Sequence, residues 1–105
     1  MHAQLMFFDG PRTAAQLAAA DFANQERIKP ATAHLAGFVD GYVLRRADGS
    51  EVVVVIADSE QHLLDGQKAI MATNLLPGED VALLPGPDRI ELFPVIDRFG
   101  ARAQS

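Results

Sequence analysis

The chain has no cysteine, which excludes disulfides and thiolate metal sites alike. It also lacks any long apolar run. Leu5 to Phe8 and Val52 to Ala57 are the longest, far short of the roughly 20 residues that span a membrane. The opening "MHAQLMFFDGPR" has neither a basic leader nor an apolar stretch long enough for a signal peptide. Basic clusters are missing beyond Arg45-Arg46, and the net charge is −5, which argues against nucleic acid as a partner. Nucleophile and phosphate motifs are missing too. Ser50 in "DGSE" belongs to a turn, and "DGPR" is too short for a phosphate loop, with no Gly-Lys-Ser/Thr behind it. His2, His34 and His62 are too dispersed for metal-ligand spacing. No motif calls for a metal or a cofactor, and the expectation is a soluble cytoplasmic protein without membrane or nucleic-acid partners.

What is present is a single 105-residue domain that is 49% hydrophobic. A chain of this length buries roughly two-thirds of its unfolded surface, so packing, with or without a second subunit, must supply the stability. Gln4 to Asp9 reads as a short buried strand closed by Asp9-Gly10-Pro11. Thr13 and Gln16 have capping-box spacing at the head of an alanine-rich helix. Pro30 should break or kink that helix near Lys29, leaving a short piece from Ala31 to Leu35 that stops at Gly37. Phe38 to Arg46 and Glu51 to Asp58 flank Asp48-Gly49, a hairpin signal. A second helix starts at Asp58 or Ser59 and runs to about Asn74, and Arg89 to Val95 forms the last strand. The tail "GARAQS" is expected to fray.

Between the second helix and the last strand, "LLPGEDVALLPGPD" almost repeats itself. Its prolines remove the N–H donors that a phosphate site would need, so it reads as structural punctuation. Val81 to Leu84 is apolar, forming a short strand or one helical turn that packs on a partner or closes a pocket.

The order β-α-β-β-α-β is the split βαβ, or ferredoxin-like, arrangement, an α+β fold with a four-stranded antiparallel sheet and two helices on one face. Strands one and three, "LMFF" and "VVVVIA", are apolar on both faces, as central strands must be. Strand two carries Asp40, Arg45 and Arg46, and strand four holds Pro94, so both belong at edges, where Arg45 and Arg46 would resist further pairing. Two helices cover only one face of such a sheet. The valine-rich other face implies a homodimer joined through sheet faces, with the 77–87 connection contributing.

Together with the stretch "HLAGFVDGYVLRRADGSEVVVVIADSEQHLLDG" from His34 to Gly66, this order resembles the dimeric α+β barrel superfamily, and within it the antibiotic biosynthesis monooxygenase-like proteins. The resemblance implies a homodimer with a cavity between sheet and helices in each protomer. It covers cofactor-free oxygenases, haem-degrading enzymes, isomerases or lactone-forming enzymes, and many proteins of unknown role. The absence of tryptophan sets aside the haem-degrading branch and weakens the oxygenase reading.

The candidate site follows from polar residues on apolar faces. At about 100° per residue, Ala14, Leu17, Ala18, Phe22 and Ile28 form one helical stripe, with Asp21, Asn24 and Gln25 in or beside it. These three either reach solvent or hold a ligand or a water. On the second helix Gln67 and Asn74 sit in the stripe of Leu63, Leu64, Ile70, Met71 and Leu75; Met71 fills a gap in the core or touches the ligand. Tyr42 shares a strand face with Phe38, Asp40 and Leu44, and faces either the cavity or a partner sheet. His34 lies at a helix end, where a cation is favoured, and is the candidate acid or base. The functional expectation is a homodimer that binds a small apolar or aromatic molecule, as a cofactor-independent monooxygenase or isomerase. The alternative is a non-catalytic binding or assembly protein.

Overall fold

The computed structural model describes residues 1–100, so the last five residues of the tail lie outside the described residues. The elements are β1 (His2–Phe8), α1 (Ala14–Ala23), a π-helical segment (Asn24–Ile28), α2 (Lys29–Thr32), β2 (Phe38–Arg45), β3 (Glu51–Ala57), α3 (Glu60–Met71), a 3₁₀ turn (Val81–Leu83) and β4 (Arg89–Pro94). The sheet runs β2-β3-β1-β4 and every pairing is antiparallel. The ferredoxin-like topology expected from the pattern is the topology observed, with the two doubly apolar strands in the middle.

Side chains alternate along each strand, so the register sorts them into two faces. Gln4 lies opposite Val55 and Leu92; Val43 lies opposite Val53, and Arg45 opposite Glu51. This set faces the helices, because Gln67 of α3 bonds Gln4 and Asp21 of α1 bonds Arg45. The other face carries Leu5, Phe7, Val52, Val54, Ile56, Tyr42, Leu44 and Phe93, and no helix lies over it among the described residues. Among the described apolar residues only Ala23, Ala57 and Leu63 are buried. The chain by itself therefore seals very little of its apolar surface among the described residues.

A bulge between Phe38 and Asp40 shifts the start of β2 by one residue. Phe38 pairs with Ala57 and its ring reaches over Gly41 on the helix side, so it does not share a face with Tyr42 as strict alternation implied.

Local chemistry sets the boundaries. Thr13 caps α1 with the full reciprocal box, Thr13 Oγ1 accepting from Gln16 N at 3.1 Å and Gln16 Oε1 from Thr13 N at 2.9 Å. The expected break at Lys29 takes another form. Pro30 has no N–H to donate and its ring displaces the carbonyl of the preceding turn, so the helix widens and Lys29 N–H bonds back to Asn24 O. Helical conformation thus continues to Thr32 instead of restarting at Ala31. Ser59, not Asp58, caps α3 by accepting from His62 N at 3.2 Å. Asp58 instead bonds the His62 imidazole. α3 ends at Met71, where Ala72 N–H bonds Lys68 O at 3.0 Å and Thr73 N–H bonds Ile70 O at 3.1 Å.

Gly37 stands at φ +83°, and a Cβ there would overlap the His62 ring. Gly37→Ala should destabilise the fold by at least about 1–2 kcal/mol, from the left-handed backbone alone. Urea denaturation measures this, and a His62→Ala background should relieve the overlap but not the backbone part. Equal stability of Gly37→Ala and the native chain would refute it.

Candidate functional site

The hairpin tip, the β1–α1 loop and α1 meet through one charged network. Arg12 donates its backbone N–H to Asp48 O at 3.0 Å and its Nε to Gly49 O at 2.9 Å, while its Nη2 lies 3.0 Å from Glu51 Oε1. Arg45 Nε also bonds Glu51 Oε1 at 2.8 Å. The Glu51 side chain is only 7% exposed, and a buried carboxylate persists because two guanidiniums compensate it. Arg45 then reaches α1, its Nη2 and Nη1 meeting Asp21 Oδ1 and Oδ2 at 2.7 and 3.2 Å. Hydrogen bonding from Arg45 holds the Asp21 carboxyl below its ordinary range and raises the pKa of Arg45 further above its own. Arg45 is thus no idle edge charge, as the alternation suggested. Its side chain turns toward the helices and ties the edge strand to α1.

Beside this network the helix side of the edge strand is open. Val43 and Phe38 point toward the helix side of β2, yet they are 48% and 58% exposed. Gly41 lies between them on the strand, where a Cβ would come within 3.2 Å of the Phe38 ring. The candidate groove is an open shelf at the sheet edge, with an apolar floor of Phe38, Gly41 and Val43 and with Arg45 and Asp21 at one end. Deeper in the layer, buried Gln4 accepts a 2.5 Å hydrogen bond from Gln67 Nε2.

The candidate residues separate into groups. Asp21 stands at the groove, and Asn24 and Gln25 follow it in the π segment, Asn24 half-buried and Gln25 exposed. Gln67 points into the sheet–helix layer, but toward Gln4. His34 is exposed in the turn after α2 that leads to Phe38. Tyr42 lies on the uncovered face, where its hydroxyl donates to Asp40 Oδ2 at 2.9 Å. Met71, 85% exposed at the end of α3, projects into solvent and fills no gap in the core. Arg45, Glu51, Arg12 and Gln4, which were not among the candidates, make the polar contacts of this layer. Gln4 carried a usable signal, a lone amide inside an apolar strand.

Two further hollows exist. One, of about 460 Å³, lies on the uncovered face between Asp40, Tyr42 and Ile56 and the segment from Val95 to Gly100. The other, of about 270 Å³, lies between α1 and the 78–84 connection, lined by Ala18, Phe22, Leu83 and Leu84. Phe22 and Ala18 thus line a hollow beside the connection, and α1 is rolled from the orientation its apolar stripe implied. The connection packs on its own helix, anchored by Arg27 Nε to Glu79 Oε2 at 2.9 Å and Arg27 Nη1 to Thr73 Oγ1 at 2.8 Å. Leu83 and Leu84 line that hollow, as the pocket-closing alternative expected, while Val81 of the same stretch stands exposed. Among the described residues, no group of three His, Cys, Asp or Glu could hold a metal ion. No described helix is long and apolar enough to cross a membrane.

No protein family and no curated protein matches the chain. A solved structure does: a monooxygenase from the gene ActVA-Orf6 of Streptomyces coelicolor, in complex with the ligand nanaomycin D. It aligns over 95% of this chain and 90% of its own, with a TM-score of 0.55 and 20% identity. The two share a fold. That likeness matches the antibiotic biosynthesis monooxygenase-like architecture the element order resembles, and at this identity it speaks for the fold alone.

Gln67→Leu should cost about 1–3 kcal/mol by leaving the buried Gln4 amide unpaired, with much of the loss recovered in Gln4→Leu/Gln67→Leu. Thermal and urea unfolding measure both, and a single variant as stable as the native chain would refute the pairing. Acid should also weaken the fold in a defined window. The carboxyls of Asp21, Asp48 and Glu79 are lowered by hydrogen bonds from Arg45, from Ser50 and from Arg27 respectively. A lowered folded-state pKa means that the unfolded chain binds more protons. Their contribution is complete above the ordinary carboxylate range near pH 4 and is lost as pH falls through the depressed values. Urea midpoints should therefore drop below about pH 4, with a shallower slope in Asp21→Asn.

Proposed function

We propose that this protein is a homodimer joined through its uncovered sheet faces, and that it binds a small apolar or aromatic organic molecule in the groove between helices and sheet. The carrying observation is that Phe38 and Val43 stand about half exposed on the helix side of the edge strand, beside a charged pair. A groove with an apolar floor and a few convergent polar groups is the usual form of a small-molecule site. The dimer reading is supported by the apolar row Leu5, Phe7, Val52, Val54 and Ile56 on a face that no helix covers among the described residues. Tyr42 and Asp40 then belong to the interface side. The shared fold with a ligand-bound monooxygenase supports a cofactor-independent oxygenation, or an isomerisation, as the enzymatic form. Such chemistry proceeds without a metal when the substrate itself stabilises a carbanion. His34, exposed in the turn leading to Phe38, is the proposed acid or base, with Asp21, Asn24 and Gln25 positioning the substrate.

A non-catalytic binding or assembly role is the second reading. It is favoured by the dispersal of Tyr42, Met71 and His34 to different parts of the surface. Sedimentation at micromolar concentration should return a dimer, and Val54→Glu, in the middle of the uncovered face, should return a monomer. A native monomer would sink the dimer. A thermal-shift screen of aromatic phenols and quinones should raise the melting temperature, since a ligand bound only by the folded state stabilises it. Turnover that survives His34→Ala removes His34 from catalysis. No shift with any compound would leave the assembly reading in its place.

A further inference from the structure

We propose that Arg45 is the recognition point for a carboxylate on the bound molecule, so that the ligand class is an aromatic or otherwise apolar carboxylic acid. This rests on the helix–sheet groove being the ligand site. Charge counting supports it first. Arg12, Arg45 and Glu51 lie together as two cations and one anion, leaving one positive charge at the groove end. Asp21 balances that charge, but it is the loosest member of the network. Its side chain is 60% exposed, whereas that of Glu51 is buried, and it comes from α1, one turn before the π segment.

Geometry supports it second. Arg45 uses Nε and part of Nη2 on Glu51, and presents Nη1 and Nη2 to both oxygens of Asp21. That two-point arrangement is the one an external carboxylate adopts on a guanidinium. Withdrawn from Arg45, the exposed Asp21 carboxylate can hydrate, so exchange of one anion for another leaves no buried charge uncompensated. Val43 follows two residues back along the strand, roughly 7 Å away, so an apolar ring lies on the Val43–Gly41–Phe38 floor when its carboxyl reaches Arg45.

Titration by calorimetry with 2-naphthoate and 2-naphthamide, which differ in charge and little in shape, tests the assignment. The native protein should prefer naphthoate. Asp21→Asn, which removes the competing anion from an exposed position, should raise naphthoate affinity, and its ratio to naphthamide affinity, roughly tenfold. Arg45→Met should abolish the preference while retaining naphthamide binding. Unchanged or weaker naphthoate binding in Asp21→Asn overturns the inference, and that variant decides alone if Arg45→Met fails to fold. If naphthamide binds and naphthoate is not preferred, the groove stands and the role of Arg45 falls. If neither compound binds the native protein at millimolar concentration, the groove reading fails as well.

Discussion

Two helices cannot cover both faces of a four-stranded sheet, and most of this molecule follows from that constraint. The doubly apolar strands β1 and β3 must be central, because both of their faces carry large hydrophobic side chains. On the helix side those side chains meet α1 and α3. On the other side Val52, Val54 and Ile56 meet no helix among the described residues, and Ile56 faces the segment from Val95 to Gly100 across a hollow. The short list of buried apolar residues is the same fact seen from inside. Burial drives folding roughly in proportion to area, so a protomer that leaves so much apolar surface half-covered invites another surface onto it.

The polar residues of the helix layer respond to the same geometry. A thin layer brings Gln4 within reach of Gln67 and Glu51 within reach of two arginines, and each buried group finds the partner that makes its burial tolerable. Arg45 extends this network outward to Asp21 and fastens the edge strand to α1. Beside that tie the bulge turns Phe38 toward the helices, and Gly41 leaves room for its ring on the open edge strand. Order and opening therefore arise side by side, at the edge where the helix layer stops.

Element types and order were legible in the chain because local rules and tertiary packing agreed. The Thr13 capping box, the Asp48-Gly49 turn and the apolar runs each describe the element that forms. The pattern departed, or an open choice was settled, where a neighbouring side chain or a backbone irregularity intervened. Pro30 widens the helix instead of ending it, since a π turn absorbs both the missing donor and the ring. Ser59 caps α3 because Asp58 is engaged by His62, which in turn packs against Gly37. The bulge at Phe38 reversed the face of one aromatic residue and left Tyr42 where alternation put it.

The candidate site was only partly legible, for a related reason. Periodicity can say that Asp21 and Gln67 lie on or near packing faces, but it cannot name what they meet. Arg45 lies 24 residues from Asp21 in sequence, and Gln4 lies 63 from Gln67. Nothing local links either pair. By itself the sequence determined the order of elements, the central placement of β1 and β3 and the one-sided helix layer, because those depend on periodicity and composition. Only the tertiary structure decided the roll of α1, the return of the 77–87 connection onto its own helix and the meeting of Arg45 with Asp21. Those depend on how side chains distant in sequence fit against one another in three dimensions.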